Sequence, residues 1–187
     1  MEKLINLIKE KQDRPLIIGI DGRCGSGKTT LSNYLKSVLD CEIIRMDHFF
    51  LQTFQRTDNR LKEIGGNFDY ERFISEVKNP INNKKDISYQ VFNCSTMRLE
   101  ERVNININKI IVIEGTYSLH PLIEDIYDIK VFVNIDKDKQ INRIKIRDGE
   151  ILLKRFISEW IPKEEEYFKT YNILDKVDIV MEEVVIK

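Results

Sequence analysis

Residues 22–29 read Gly-Arg-Cys-Gly-Ser-Gly-Lys-Thr, directly after the apolar run Leu16-Ile17-Ile18-Gly19-Ile20 and directly before the helix-compatible run 30–39. A buried strand that feeds a glycine-rich turn opening a helix constrains the fold strongly, because the turn must present backbone N–H groups at a strand end. Gly22, Gly25 and Gly27 remove side chains that would block an anion or forbid positive φ. The helix that follows adds its own free N–H groups. Lys28 offsets the charge of a triphosphate, and the Thr29 hydroxyl is placed to ligate Mg²⁺. The expected phosphate cradle is therefore Gly22, Arg23, Cys24, Gly25, Ser26, Gly27, Lys28, Thr29 and Thr30.

Further short apolar runs each lead to an acid or stand alone: residues 43–46 before Asp47, 110–113 before Glu114, 131–135 before Asp136, and 179–181. Helical stretches separate most of them. That alternation predicts an α/β fold with a parallel sheet and helices on both faces. Ligands of such sheets bind beyond the carboxyl ends of the strands, where Gly22, Asp47, Glu114 and Asp136 all fall.

Residues 82–108 interrupt the alternation with two β-favouring pieces, 87–92 and 103–107, around a polar middle containing Cys94-Ser95-Thr96. They read as an inserted hairpin arm, either a flap over a substrate or a solvated loop. Residues 140–169 read as two helices joined near Asp148-Gly149, with Ile151, Leu152, Phe156 and Ile157 as their buried set. Leu4, Ile5, Leu7 and Ile8 suggest an amphipathic N-terminal helix ending near Pro15.

A chain of 187 residues with 42% hydrophobic content fits one domain, residues 1–187, with the arm at 82–108 and a lid with its following helix at 138–170. Thirty Lys and Arg against 31 Asp and Glu give a net charge of −1, so no general attraction to nucleic acid or anionic membrane is expected. No apolar stretch is long enough to span a bilayer, and residues 1–14 lack a signal-peptide core, so a cytoplasmic location is expected. Cys24, Cys41 and Cys94 are scattered, which argues against a disulfide framework or zinc site.

Phosphoryl transfer needs positioning, charge neutralisation and activation of a nucleophile. Asp47, in Met46-Asp47-His48-Phe49-Phe50, is placed to accept a proton from an attacking hydroxyl or to bind Mg²⁺ through water, with a turn or cap as the plainer alternative. Glu114, before Gly115, is a carboxylate opposite the phosphate loop where metal or water is held. Asp69 precedes a helical run and reads equally as an N-cap or a ligand. Arg143 and Arg147 share a helix face, with Lys145 and Lys154 nearby, either as a solvated surface or as lid cations over the transferring phosphate. Tyr89, Phe92 and Tyr117 could stack on a flat acceptor, though aromatic residues serve more often as core. His48 and His120 read as structural.

Together these landmarks resemble the uridine kinase and phosphoribulokinase branch of the phosphate-loop kinases. They are residues 21–30, Met46-Asp47-His48-Phe49-Phe50, Asn67-Phe68-Asp69, the Tyr89-centred arm, Ile113-Glu114-Gly115 and the lid at 143–148. The chain is also similar to smaller uridine kinase-like proteins through Glu114-Gly115-Thr116-Tyr117-Ser118-Leu119-His120-Pro121 and Glu159-Trp160-Ile161-Pro162.

The resemblance implies a P-loop NTPase fold with a five-stranded parallel core and ATP or GTP as donor. It implies Mg²⁺ and transfer to the 5′-hydroxyl of a nucleoside. It assigns Asp47 as base, Lys28 as γ-phosphate ligand, Thr29 and Glu114 as magnesium partners with Asp47 near them, and Arg143 and Arg147 as lid cations. Asp69 becomes a ribose-hydroxyl acceptor, and Tyr89, Cys94 and Tyr117 fall on the acceptor side. Two departures stand there: the family's Tyr-Asp and later histidine are Tyr89-Gln90 and Cys94 here, and its Phe-Tyr after the base is Phe49-Phe50. Rival readings are kinases of another alcohol, such as ribosylnicotinamide or pantothenate, and a regulatory ATPase switch. Family members often form homo-oligomers.

Overall fold

The computed structural model describes residues 1–11 and 13–184. Helix α1 (Glu2–Glu10) buries Leu4 and Ile8, one helical turn apart, and precedes strand β1 (Leu16–Gly22). Helix α2 (Lys28–Val38) follows the glycine-rich turn and buries Leu31 and Leu35. Strand β2 (Cys41–Arg45) ends in the 3-10 turn Met46–Phe49. Next come α3 (Asp58–Lys62), α4 (Tyr70–Phe73), a π-helical turn at Ile74–Lys78 and α5 (Asn79–Asn82). A hairpin of β3 (Ile87–Asn93) and β4 (Arg98–Ile105) precedes β5 (Ile110–Glu114) and β6 (Ile129–Val133). Helix α6 (Lys137–Arg155), a second π-helical turn at Phe156–Trp160, α7 (Ile161–Thr170) and β7 (Ile179–Met181) complete the described chain.

Five strands form one parallel sheet in the order β2-β5-β1-β6-β7. Period-two alternation puts Ile17, Ile111, Ile113 and Phe132 in the core on one face, and Ile18, Ile20, Val112 and Val131 in the core on the other. That double burial explains why these strands read as unbroken apolar runs. Register aligns Ile20 and Arg45 with Glu114, and Gly22 with Val133, so the glycine turn, β2's end and Glu114 share one edge.

The β3–β4 hairpin forms a separate antiparallel sheet, as expected of an inserted arm. Ile87, Tyr89 and Phe92 from β3 are buried. Each such side chain contributes roughly 1.5–3 kcal/mol, against about 1 kcal/mol for a net hydrogen bond. Apolar packing therefore holds the arm to the body.

Helix α6 breaks at Gly149 (φ 80°, ψ 170°), where the sequence places a join between two helices. The expectation of a buried face beyond it is wrong. Ile151 is 88% exposed, Leu152 and Ile157 are also exposed, and Phe156 packs edge-on against Trp160. Within α6 only Gln140 and Ile144, both before the break, are buried, and no residue of the expected set after Gly149 joins the core.

Candidate active site

The turn between β1 and α2 has the backbone that its glycines predict. Gly22, Gly25 and Gly27 all adopt positive φ. A Cβ on Gly22 would lie 2.1 Å from the Val133 carbonyl oxygen, and one on Gly27 would lie 2.5 Å from that of Val184. The turn is thus wedged between β6 and the segment after β7. Val184 N–H also donates to the Ser26 carbonyl at 3.0 Å. Lys28 Nζ donates to the carbonyls of Gly22 (2.5 Å) and Arg23 (3.0 Å), which keeps the ammonium at the turn.

The side chains of Arg23 and Cys24 are engaged with other elements. The Arg23 guanidinium forks onto Glu165 at 2.5 and 2.9 Å and reaches Asn134 at 2.5 Å. Burial, with Glu164 next, pushes the Cys24 thiol up to about 12, so it stays protonated. Gln140 Nε2 donates to the Cys24 carbonyl and lies 3.2 Å from its sulfur. Thr30 lies exposed on the first turn of α2.

Across the sheet edge, Thr29 Oγ1 donates to Glu114 Oε1 at 3.1 Å, and Arg45 Nε lies 3.5 Å from the same oxygen. Glu114 is 4% exposed. Burial raises its pKa, the Lys28 charge opposes that rise, and the Asp47 charge adds to it. Among the described residues no group of three His, Cys, Asp or Glu side chains gathers to hold a metal. One hydroxyl and one carboxylate, completed by substrate oxygens and water, is the donor set that Mg²⁺ takes in such sites. The residues fit that ion.

Asp47 stands exposed on the 3-10 turn after β2. The turn is stitched to residues 67–69: Asp69 N–H donates to Phe49 O (2.7 Å), Leu51 N–H to Asn67 O (3.2 Å), and Phe50 bridges Phe68. Asp69 caps α4, its Oδ1 accepting the Arg72 N–H at 3.1 Å. Its Oδ2 is buried without a hydrogen-bond partner, 3.4 Å from Arg72 Nε. The capping role of Asp69 is therefore real, and its second oxygen faces the Arg72 guanidinium.

Tyr89 and Tyr117, which could have stacked on an acceptor or served as core, are core residues. Tyr89 is fully buried with its ring centroid 5.1 Å from that of Phe49, and its hydroxyl lies 3.1 Å from His48 Nδ1. It shares a strand face with Ile87, so period-two geometry turns it inward. Tyr117 is buried and edge-on to Tyr167 at 4.9 Å, in a positive-φ conformation (73°). Neither ring has a face open to a ligand. Cys94 lies exposed at the hairpin turn, its thiol raised by partial burial and then by the charge of Asp47. Phe92 is also buried.

Arg143 does reach the phosphate turn, donating to Gly25 O at 3.0 Å, but its other nitrogen pairs with Glu183 at 2.6 Å. Arg147, half-exposed, pairs with Asp148 at 2.8 Å; that hydrogen bond above all, with a smaller pull from Asp47, raises its pKa. Lys145 is drawn away to Glu150. His48 and His120 serve the packing. His120 lies between the rings of Tyr70 and Tyr167 with Nδ1 accepting the Leu122 N–H, and burial lowers both histidine pKa values.

Three residues emerge that sequence reasoning did not single out. Asp21, fully buried at the end of β1, accepts from Gly22 N–H (2.7 Å), Leu119 N–H (3.0 Å) and Tyr167 OH (2.8 Å), and burial raises its pKa to about 6. Glu164 accepts from Cys24 N–H (3.1 Å) and Thr116 Oγ1 (3.0 Å). With Glu165 on Arg23 and Tyr167 on Asp21, α7 thus grips three of the four residues 21–24. Arg72 is the third. An acid inside the apolar run before Gly22 was a readable signal for Asp21; Glu164 sits in a run of three glutamates that reads as solvated.

A parallel sheet with a glycine turn, Lys28, the Thr29–Glu114 pair and an aspartate at one edge defines a phosphate-loop kinase. Residues 17–151 match the model of the phosphoribulokinase / uridine kinase family, and the chain belongs to that family. It is a small-molecule kinase that phosphorylates a hydroxyl. The chain is 28% identical over 173 residues to a uridine kinase of Chlamydia pneumoniae, covering 82% of this chain and 76% of that one. To a uridine kinase of Clostridium botulinum (strain Kyoto / Type A2) it is 31% identical over 147 residues, covering 72% and 69%. Among solved structures, a "possible uridine kinase" from Bacillus stearothermophilus superposes with a TM-score of 0.73 at 19% identity, covering 96% of both chains. D-glycerate 3-kinase from Cryptococcus neoformans gives 0.54 at 16% identity, covering 88% and 84%. At those identities the structures share the fold. No helix among the described residues is long and apolar enough to cross a membrane.

Proposed function

We propose that this kinase moves the γ-phosphate of ATP, with Mg²⁺, onto the 5′-hydroxyl of a nucleoside. The observation that carries the transfer is the Thr29–Glu114 contact at 3.1 Å, which joins the phosphate turn to a buried carboxylate on the strand beside Asp47's turn. Two curated relatives named uridine kinases support the nucleoside. Bound Mg²⁺ supplies neutralisation of the phosphate oxygens.

The protein's own part is positioning. The amides of residues 25–30 and Lys28 hold the phosphates, while Thr29 and Glu114 hold the metal side of the site. Asp47 orients the acceptor hydroxyl and takes its proton. Arg143 and Arg147 lie on the lid helix, and on exchanging Glu183 and Asp148 for phosphate oxygens their charges stabilise the transferring group. Lys28 and the amides act on charge that develops between donor and acceptor oxygens, where fixed dipoles outperform water.

A second reading, a kinase of an acyclic vitamin alcohol such as pantothenate, draws on the burial of Tyr89 and Tyr117. A site without those rings has no obvious platform for a base. Incubation with ATP, Mg²⁺ and a pool of nucleosides and vitamin alcohols, followed by mass spectrometry of the phosphorylated product, separates the two. A nucleoside 5′-monophosphate is the expected product. ADP release at background with every acceptor would reject both readings and favour a regulatory ATPase.

A further inference from the structure

We propose that Arg72 is a positioning residue for phosphoryl transfer, locking the β3–β4 hairpin to the turn that carries Asp47. The inference rests on the reading of Asp47 as the base. Arg72 belongs to α4 and is 9% exposed. Its guanidinium donates to the His48 carbonyl, one residue beyond Asp47, and to the Gln90 carbonyl of β3 at 2.7 Å. The same group lies 4.3 Å from the centre of the Phe49 ring. One planar fork therefore joins α4, the Asp47 turn and the hairpin.

The charge needed for this is itself accommodated. Asp69 Oδ2 lies 3.4 Å from Nε, and Glu76 Oε2 3.2 Å from Nη1. A buried guanidinium with two carboxylates and two carbonyls around it is paired on every side, Nε through the Asp69 charge and without a hydrogen bond. A lysine could keep the charge beside Asp69 but could not span two carbonyls on separate elements.

The surrounding stitches make the role specific. The Asp47 turn has its own ties to residues 67–69, and the hairpin has its own buried anchors, Ile87, Tyr89 and Phe92. Each piece thus has ties of its own besides Arg72. Among the backbone hydrogen bonds of the described residues, none runs directly between 46–51 and 87–93, and the side-chain bonds between these segments are His48–Tyr89 and the Arg72 bridge. Without the fork the Asp47 turn and the hairpin keep only the contacts of Tyr89 with His48 and Phe49, which fix their spacing less tightly, and shifts near 1 Å cost about a hundredfold in rate.

The test uses the full chain with Arg72→Gln and Arg72→Lys. Hydrogen exchange followed by mass spectrometry should show amides of 88–93 opening about tenfold faster in Arg72→Gln, with β1 and β5 unchanged. Binding of a fluorescent ATP analogue should stay within about twofold. With the acceptor that the wild-type protein phosphorylates in the pooled assay, kcat/KM for that acceptor should fall about a hundredfold while KM for ATP holds. Arg72→Lys should recover little of the loss.

Unchanged exchange in the hairpin would overturn the assignment, as would an equal loss in ATP binding or full rescue by lysine. If β1 loses protection too, Arg72→Gln has unfolded, and the same exchange ratio in Arg72→Lys decides. Should the wild-type protein phosphorylate nothing in the pool, the functional reading fails at that step and the exchange result still decides the role of Arg72.

Discussion

The donor side and the acceptor side proposed for this site are built in different ways. The phosphate turn is local: eight consecutive residues carry its glycines, its lysine and its threonine, and their backbone takes the positive-φ path those glycines require. The acceptor side is assembled from the 46–51 turn, the 67–72 segment and the hairpin, joined by Arg72 and by aromatic packing. A locally encoded site survives sequence divergence legibly, because each residue's role follows from its neighbours in the chain. An assembled one hides its roles in contacts between distant residues.

The largest effects should separate the two sides by ligand. Lys28→Ala should lower turnover by about a thousandfold or more and also weaken nucleotide binding, since the ammonium serves the phosphates directly. Asp47→Asn should lower turnover by roughly 10²–10⁴-fold while leaving ATP-analogue binding within a few-fold. Steady-state kinetics beside a binding titration checks both. Full turnover by Asp47→Asn would remove the base from the acceptor side.

Gly22→Ala should destabilise the fold by about 3 kcal/mol, because its Cβ would sit 2.1 Å from a backbone oxygen that cannot swing away. Urea unfolding measures it. A change below about 0.5 kcal/mol would show that the donor side is more plastic than its glycines imply.

Asp21 links the phosphate turn to α7 and gives the donor side a pH signature. Its folded pKa of about 6 lies above the unfolded value of 3.8, so the native state binds the proton more tightly. The stabilisation this lends is complete below 3.8 and is lost as pH rises through 6, a fall of up to about 3 kcal/mol. Asp21→Asn should flatten that part of the stability profile, measured by denaturant unfolding between pH 4 and pH 7. A slope that persists unchanged in the variant would assign it to other groups.

The smallest effect concerns the lid. Ile151→Glu should change stability by less than about 0.5 kcal/mol, because the side chain is 88% exposed. Thermal unfolding of the pair of proteins checks it. A loss above about 2 kcal/mol would restore the buried face that helical periodicity suggested.

How far the sequence could be read depends on the residue. The strands were legible because burial on both faces leaves continuous apolar runs, as in Ile110-Ile111-Val112-Ile113. Gly149 marked the break in α6 correctly, since glycine alone carries its φ and ψ at no cost. The apolar spacing of Ile151, Leu152 and Ile157 misled, because periodicity reports an apolar stripe and not whether anything covers it. Tyr89 read either as a stacking platform or as core, and only the hairpin's alternation, which turns it toward Phe49, decided for core.

By itself the sequence determined the phosphate turn, the parallel sheet and the acids at its edge, because each depends on residues adjacent in the chain or on the simple period of a strand. The tertiary structure alone decided which charges meet. It set Glu164 and Glu165 on the backbone and side chain of the phosphate turn, bound Arg143 to Glu183, and put Arg72 between the Asp47 turn and the hairpin. Those pairings span from about twenty to more than a hundred residues of chain, and a charged side chain carries no mark in its sequence neighbourhood of the partner that folding brings to it.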